Sequence, residues 1–254
     1  MHPPHVRAEA LALFEAGLND CEISRRMGIP RGTIRDWRRP TYVPREPAIP
    51  RETCPRCWRA AKPMRFTDED YAELLATYLG DGCISDGART SRLRIALDTK
   101  YPRIIADTKA LLRRCFPANP VGEVSAHGGT MVFVSLYSSH LPCLFPQHGP
   151  GMKHKRPIVL EPWQQEIVDA VPWPFIRGCI RTDGCAFINR TGPYEYLCYE
   201  FANVSTEIAD LFRQACARVD VFTRANRDRR RRWSVRINRR ASVARMLEHV
   251  GLKE

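Results

Sequence analysis

Two stretches decide the fold of this chain: "LLATYLGDG", residues 74–82, and "FIRGCIRTDG", residues 175–184. Each is an apolar run of helical character that ends in Asp-Gly, and the two aspartates, Asp81 and Asp183, lie 102 positions apart. A single Asp-Gly usually marks a turn, because glycine adopts positive φ and the aspartate side chain caps nearby amides. The same ending on two similar segments instead favours a pair of functional acids.

Further landmarks repeat at nearly the same distance. Cys83 and Cys185 are 102 positions apart, and "IAD" at residues 105–107 recurs at 208–210, an offset of 103. Self-similarity at so long a period indicates two fused units rather than a solenoid of short repeats. We therefore expect a duplicated domain, with a first half at residues 66–150 and a second half at residues 151–254.

Each half shows the same order of hydrophobic patterns, namely helix, two strands, helix, two strands and helix. Thr67 precedes the first helix with an acidic residue three positions later, a pattern typical of a capping box. The sequence thus predicts an α+β fold, a duplicated α-β-β-α-β-β-α unit with two antiparallel sheets.

Small residues recur every fourth position in both Asp-Gly segments, which places them on one stripe of each helix. Such stripes allow two helix backbones to approach closely. If the helices pack along these stripes, the two aspartates meet, and neighbouring carboxylates repel each other unless a cation bridges them. Hard oxygen ligands of this kind suit Mg²⁺. The stripes consist of Ala72, Ala76 and Gly80 in the first segment and Pro174, Gly178 and Thr182 in the second.

Residues 1–40 predict an all-α helix-turn-helix domain. An apolar stripe ends at Gly17, and a Gly28–Pro30 turn separates a second short helix from a third that opens near Arg31. The segment resembles the DNA-binding domains of resolvases and transposases; the alternative is a three-helix packing unit without a role in DNA binding. Outward side chains on the third helix suit phosphates and guanine edges, and they are Arg31, Thr33, Arg35 and Arg38.

Residues 41–65 form a Pro-rich linker. Cys54 and Cys57 within it make one CxxC, which is half of a structural zinc site, since such a site takes four ligands. Zn²⁺ there is one interpretation, and an ordinary reduced pair is the other and the favoured one.

Charge indicates a polyanionic partner, because the net charge is +12. Between Thr223 and Arg245 the chain has ten arginines against one acid, with apolar residues interleaved. This alternation favours a strand that faces DNA, and the alternative is a solvated basic strand pair. The candidate DNA-binding residues here are Arg224, Arg227, Arg232, Arg236, Arg239 and Arg240.

Neither a membrane span nor a secretory signal is expected from the sequence. The ten cysteines are scattered rather than spaced as a disulfide framework, so we interpret them as reduced thiols in a cytoplasmic protein.

The two Asp-Gly segments resemble the signature motifs of the LAGLIDADG homing endonucleases. The resemblance covers roughly residues 66–254 and implies a monomer with internal pseudo-two-fold symmetry that binds double-stranded DNA on a saddle of two sheets. It further implies that Asp81 and Asp183 bind divalent metal, Mg²⁺, with Gly80 and Thr182 beside them in the metal site. Basic residues at the catalytic centre are expected from Lys153 and Lys155, with Arg239 and Arg240 near the equivalent position in the second half.

One departure from that pattern is Arg181, which stands where a further acid is often found. Some relatives in the family lack the acid pair and act as transcriptional regulators. Two hypotheses therefore stand: a site-specific, metal-dependent DNA endonuclease, and a DNA-binding transcriptional regulator with a non-cleaving nuclease fold. A zinc-dependent nuclease built on the histidines of residues 140–154 is a third and weaker idea.

Overall fold

The computed structural model describes residues 4–38, 66–87, 90–228 and 232–253. The chain divides into a small N-terminal unit and a larger C-terminal unit. The Pro-rich linker, including Cys54 and Cys57, lies outside the described residues.

The N-terminal unit is a three-helix bundle, with α1 at Pro4–Glu15, α2 at Asp20–Met27 and α3 at Arg31–Arg38. Asn19 and Glu22 form a reciprocal capping box at the start of α2, and Gly28 ends that helix in the left-handed conformation, with φ of 67°. The helix-turn-helix prediction is therefore confirmed. Its core contains Ala10, Ile23, Ile29, Ile34 and Trp37, so Ile23 supplies the buried side chain of α2.

The first half of the C-terminal unit begins with a long buried helix and folds onto one four-stranded antiparallel sheet, in the order β1-β2-β4-β3. A 3₁₀ turn at Lys153–Lys155 follows its last helix. The elements are α4 (Asp68–Asp81), β1 (Gly82–Asp86), β2 (Ser91–Asp98), α5 (Pro102–Cys115), β3 (Gly122–Ala126), β4 (Met131–Ser138) and α6 (Leu141–Leu144).

The second half repeats this arrangement around a second sheet, in the equivalent order β5-β6-β8-β7. A helix without a counterpart in the predicted pattern, α7 (Pro162–Ala170), precedes it; Val171 interrupts the helix and Pro172 opens the next one. The remaining elements are α8 (Pro172–Asp183), β5 (Gly184–Thr191), β6 (Tyr194–Asn203), α9 (Thr206–Arg218), β7 (Arg224–Arg227), β8 (Trp233–Ile237) and α10 (Arg240–His249).

Both halves share one continuous core that includes α4, α8 and the inward faces of the two sheets. Along β2, side chains alternate between buried and partly exposed, so the helices cover one face of the sheet and leave the other open. The duplicated α-β-β-α-β-β-α prediction is confirmed, with α7 as an addition. In the described part of the chain, no helix is long and apolar enough to cross a membrane.

Candidate metal and nucleic-acid site

The two motif helices, α4 and α8, pack directly against each other through their small residues. A Cβ added to Gly80 would lie 2.5 Å from Thr182 Cβ, and one added to Gly178 would lie 2.6 Å from Ala76 Cβ. Distances this short leave no room for a side chain at either glycine. The stripes predicted from the sequence therefore form the interface between the two halves.

Asp81 and Asp183 are the last residues of these two helices, so the packing brings their carboxyl groups to the same end of the interface. The C-terminal end of a helix carries partial negative charge, and an acid there is electrostatically unfavourable. Two such acids at adjacent helix ends repel each other, and a cation between them would relieve that repulsion.

The ionisation of both acids reflects this setting. Burial, followed by the nearby charge of Asp183, raises the pKa of Asp81 to about 6, although Lys253 and Lys153 oppose the rise. Burial also raises the pKa of Asp183. Its carboxylate accepts a hydrogen bond of 2.7 Å from the Asn203 side chain, which favours the charged form and limits that rise.

Lys153, one of the two lysines expected at the catalytic centre, lies at the end of α4. Its ammonium group donates to the carbonyl oxygens of Tyr78, of Leu79 at 2.9 Å and of Gly80 at 3.0 Å. Burial lowers the Lys153 pKa to about 8, while the charges of Asp183 and Asp81 act in the opposite direction. Since its three N–H groups are all engaged, Lys153 contributes its charge to the site rather than a free donor.

Lys253 occupies the equivalent position in the second half, a residue that the sequence interpretation missed. Its ammonium group donates to the carbonyl oxygens of Thr182 at 2.6 Å and Gly184 at 3.1 Å. A signal was present in the sequence, because Gly151-Met152-Lys153 recurs as Gly251-Leu252-Lys253 at an offset of 100. Both glycines have a φ of 76°, so the two lysines follow the same left-handed turn.

The other basic candidates lie elsewhere. Lys155 is exposed in the 3₁₀ turn beside Lys153. Arg239 precedes α10 with its guanidinium 3.4 Å from the centroid of the Phe222 ring, and Arg240 is exposed at the first position of that helix. The expectation that Arg239 or Arg240 occupies the position equivalent to Lys153 is therefore wrong, since Lys253 is found there.

Arg181, the departure noted in the second motif, joins the two halves. Its guanidinium contacts Glu73 of α4 at 2.6 Å and Asp107 of α5 at 2.7 Å. Arg177, one turn earlier on α8, contacts the other Glu73 oxygen at 3.2 Å and the carbonyl of His249 at 3.1 Å. These contacts give Arg181 a structural use at the interface, which sequence spacing alone did not reveal.

The arginines predicted to bind DNA divide between the two faces of the second sheet. Arg224 and Arg236 are paired across β7 and β8 on the open face, whereas Arg227 stacks at 4.8 Å on the ring of Trp233, on the opposite face. Arg232 pairs with Asp228 at 2.8 Å and lines a groove on the open face beside Asp183.

In the N-terminal unit, Arg31 and Arg35 are exposed on α3 and Thr33 is half-buried. Arg38 lies 3.4 Å from Asp20 and over the ring of Phe14, so it also packs within its own unit. Arg31 and Arg35 are thus the more available of the predicted contacts.

The residues at the acid pair fit a divalent cation by their chemistry. Two carboxylates and the carbonyls of Gly80 and Thr182 are hard oxygen donors, although each carbonyl also accepts a hydrogen bond from a lysine. Within the described ranges, no group of three or more His, Cys, Asp or Glu side chains could hold a metal ion, so this site offers two acidic side chains and no third.

Comparisons with known proteins agree with this architecture. Residues 6–39 match the family of the homeodomain-like domain, and residues 172–251 match the family of the LAGLIDADG-like domain. No curated protein matches the chain significantly.

Solved structures resemble the C-terminal unit at low sequence identity. Mesophilic variants of the homing endonuclease I-DmoI share 13% identity at a TM-score of 0.52, over 72% of this chain and 96% of theirs. I-DmoI in complex with DNA and Mn shares 14% identity at a TM-score of 0.51, over 72% and 97%. The N-terminal LAGLIDADG domain of DUF199/WhiA shares 17% identity at a TM-score of 0.47, over 76% and 88%. The first two likenesses show the fold of the part of the chain that they cover.

Proposed function

We infer that this chain, which has a LAGLIDADG fold behind a homeodomain-like domain, is a site-specific endonuclease that hydrolyses double-stranded DNA with a divalent metal ion. The observation that carries the proposal is the pair of buried acids at the ends of α4 and α8, each beside one lysine. An I-DmoI structure with a similar fold was determined with DNA and Mn, which supports a divalent metal such as Mg²⁺ here.

Each group has a role that follows from its position. Asp81 and Asp183 supply the carboxylate oxygens that would hold the cation, and Asn203 fixes one oxygen of Asp183. A divalent ion held there supplies a Lewis acid for phosphoryl oxygens. Lys153 and Lys253 bring positive charge to either side of the acids, where negative charge develops on a phosphate during in-line attack. The basic open faces of the sheets and the helix-turn-helix would hold the duplex.

Incubation of the full-length protein with a randomised pool of DNA duplexes tests this proposal. With Mg²⁺ we expect new ends at one recurring sequence, found by sequencing the cut molecules, and we expect none with EDTA. A tightly bound pool that stays intact under every condition would contradict cleavage. That result would favour the transcriptional regulator instead.

The two lysines give a second prediction. Lys153→Met and Lys253→Met each remove one positive charge next to the acids, and we expect the cleavage rate at saturating DNA to fall about 10²-fold. Affinity for the duplex should change little, because these buried ammonium groups bind helix carbonyls. Single-turnover cleavage and a binding titration measure the two effects separately.

Lys109→Met is the matched control, since Lys109 pairs with Glu123 at 2.8 Å on the surface, outside the acid pair. Cleavage by this variant should equal that of the parent protein. Equal losses in Lys153→Met and Lys109→Met would show that the effect is general and would remove the lysines from the mechanism.

A further inference from the structure

The open faces of the two sheets differ at the position closest to the acid pair. In the first sheet, the rung after Asp81 runs from Cys83 through Arg94 and Ser135 to Gly122. In the second sheet, the equivalent rung consists of Cys185, Glu200, Arg236 and Arg224. Glu200 in the second half therefore occupies the position that Arg94 occupies in the first half. An acid stands where the equivalent residue is basic.

Glu200 is unusual because the other charged side chains of the strands on this face, Arg224 and Arg236, are basic, and because it lines the same groove as Asp183. Its carboxylate accepts hydrogen bonds from Ser234 at 2.8 Å and from the Nε of Arg236 at 3.0 Å. These two contacts offset part of its charge, and each carboxylate oxygen keeps a lone pair that can accept a further hydrogen bond. A base that offers an amino group supplies such a contact, whereas a phosphate does not.

Arg236 is fixed through its Nε, which leaves its terminal nitrogens available. Its Nε is bonded to Glu200, its side chain is 55% exposed, and no side chain among the described residues bonds its two terminal nitrogens. A guanidinium presented in this way matches the O6 and N7 acceptors of guanine. The carboxylate beside it matches the N4 amino group of the paired cytosine, so the two side chains complement the major-groove edge of one base pair.

We propose that Glu200 and Arg236 together recognise one C·G base pair in the half of the target that contacts the second sheet. The first sheet places Arg94 and Ser135 at the equivalent positions, so the corresponding base pair in the other half is read without an acid. The two halves of the target then differ in sequence. The inference rests on the proposed function only in that the sheets contact DNA, and cleavage is not required for it.

Binding selection in the presence of EDTA tests base recognition by Glu200 and Arg236 without any cleavage step. The full-length protein and Glu200→Gln are each used to select from the same randomised duplex pool, and the bound molecules are sequenced. We expect the preference for C·G at one position to fall about 5- to 100-fold in Glu200→Gln, with other positions unchanged. Arg236→Lys keeps the positive charge but cannot donate two parallel hydrogen bonds, so it should weaken selection of the same base pair.

Glu195→Gln is the matched control, because Glu195 lies on the same strand, β6, and pairs with Arg190 at 2.7 Å on the opposite face. This variant should select the parent sequence. An unchanged preference in Glu200→Gln, or an equal loss in Glu195→Gln, would overturn the proposed recognition by Glu200 and Arg236. Binding without any sequence preference would overturn it as well. If the protein selects the expected sequence but never cuts DNA, only the proposed endonuclease activity is contradicted.

Discussion

Asp81→Asn is expected to abolish cleavage and, at the same time, to stabilise the metal-free protein. Without one of the two carboxylates the proposed metal site loses one of its two acidic ligands, and we expect the rate to fall at least about 10³-fold, as it should in Asp183→Asn. The gain in stability follows from ionisation, because the pKa of Asp81 is raised from 3.8 to about 6 in the folded protein.

The sign of this gain depends on pH. A raised folded-state pKa means that the native protein binds the proton more tightly than the unfolded chain, so stability falls as pH rises from about 4 through 6. Asparagine stays neutral, so Asp81→Asn should raise the free energy of unfolding by about 1–3 kcal/mol at pH 7.5 and by little at pH 4. Urea denaturation at the two pH values, without divalent metal, measures the difference.

Asp210→Asn serves as the control for both readouts, since Asp210 pairs with Arg213 on the exposed side of α9. It should leave cleavage and the pH dependence of stability unchanged. Addition of Mg²⁺ should raise the melting temperature of the parent protein and have much less effect on Asp81→Asn. A variant that is active, or that is less stable than the parent at pH 7.5, would remove Asp81 from its assigned role.

Gly178→Val is expected to separate the two helices that carry the acids. The new Cβ would lie 2.6 Å from Ala76 Cβ and 2.8 Å from the Glu73 carbonyl oxygen, so a helix backbone must move to admit it. Overpacking of this kind costs about 3 kcal/mol, and a shift of α8 also displaces Asp183. We expect a lower urea midpoint and a loss of cleavage together.

Gly122→Val is the comparison for that change. A Cβ at Gly122 would meet only Ser135 atoms at 3.9–4.0 Å, and valine is favourable on an exposed strand. Its urea midpoint should stay close to that of the parent protein. If Gly178→Val unfolds at the same urea concentration as Gly122→Val, the close packing of α4 on α8 is not a source of stability.

Much of the fold was predictable because the two halves show the same order of hydrophobic patterns, so the elements expected in one half could be compared with those in the other. Asp81 and Asp183 were recognisable because each ends an apolar helical segment and precedes a glycine. The small residues on their helices indicated the interface from the sequence alone. Lys253 shows the limit of that approach, since only a short Gly-x-Lys pattern relates it to Lys153. The turn that brings it back to Thr182 and Gly184 depends on a left-handed glycine rather than on hydrophobic periodicity.

Contacts between distant segments were beyond the sequence pattern. Arg224 and Arg227 belong to one short basic strand, yet they lie on opposite faces, and only the register with β8 shows which one faces outward. The sequence did not indicate Glu200 either, because its proposed role depends on a contact with Arg236 on the neighbouring strand. A partner 36 residues away leaves no local trace in the sequence.

The ionic contacts between α4 and α8 also make the two motif helices complementary in charge. The first motif helix contributes Glu73, and the second contributes Arg177 and Arg181. If instead α4 of one chain packed on α4 of a second chain, two buried acids would face each other, and an α8 pair would bring four guanidinium groups together. Because either like-with-like arrangement is repulsive, these charges favour pairing of the first half with the second half over pairing of two like halves.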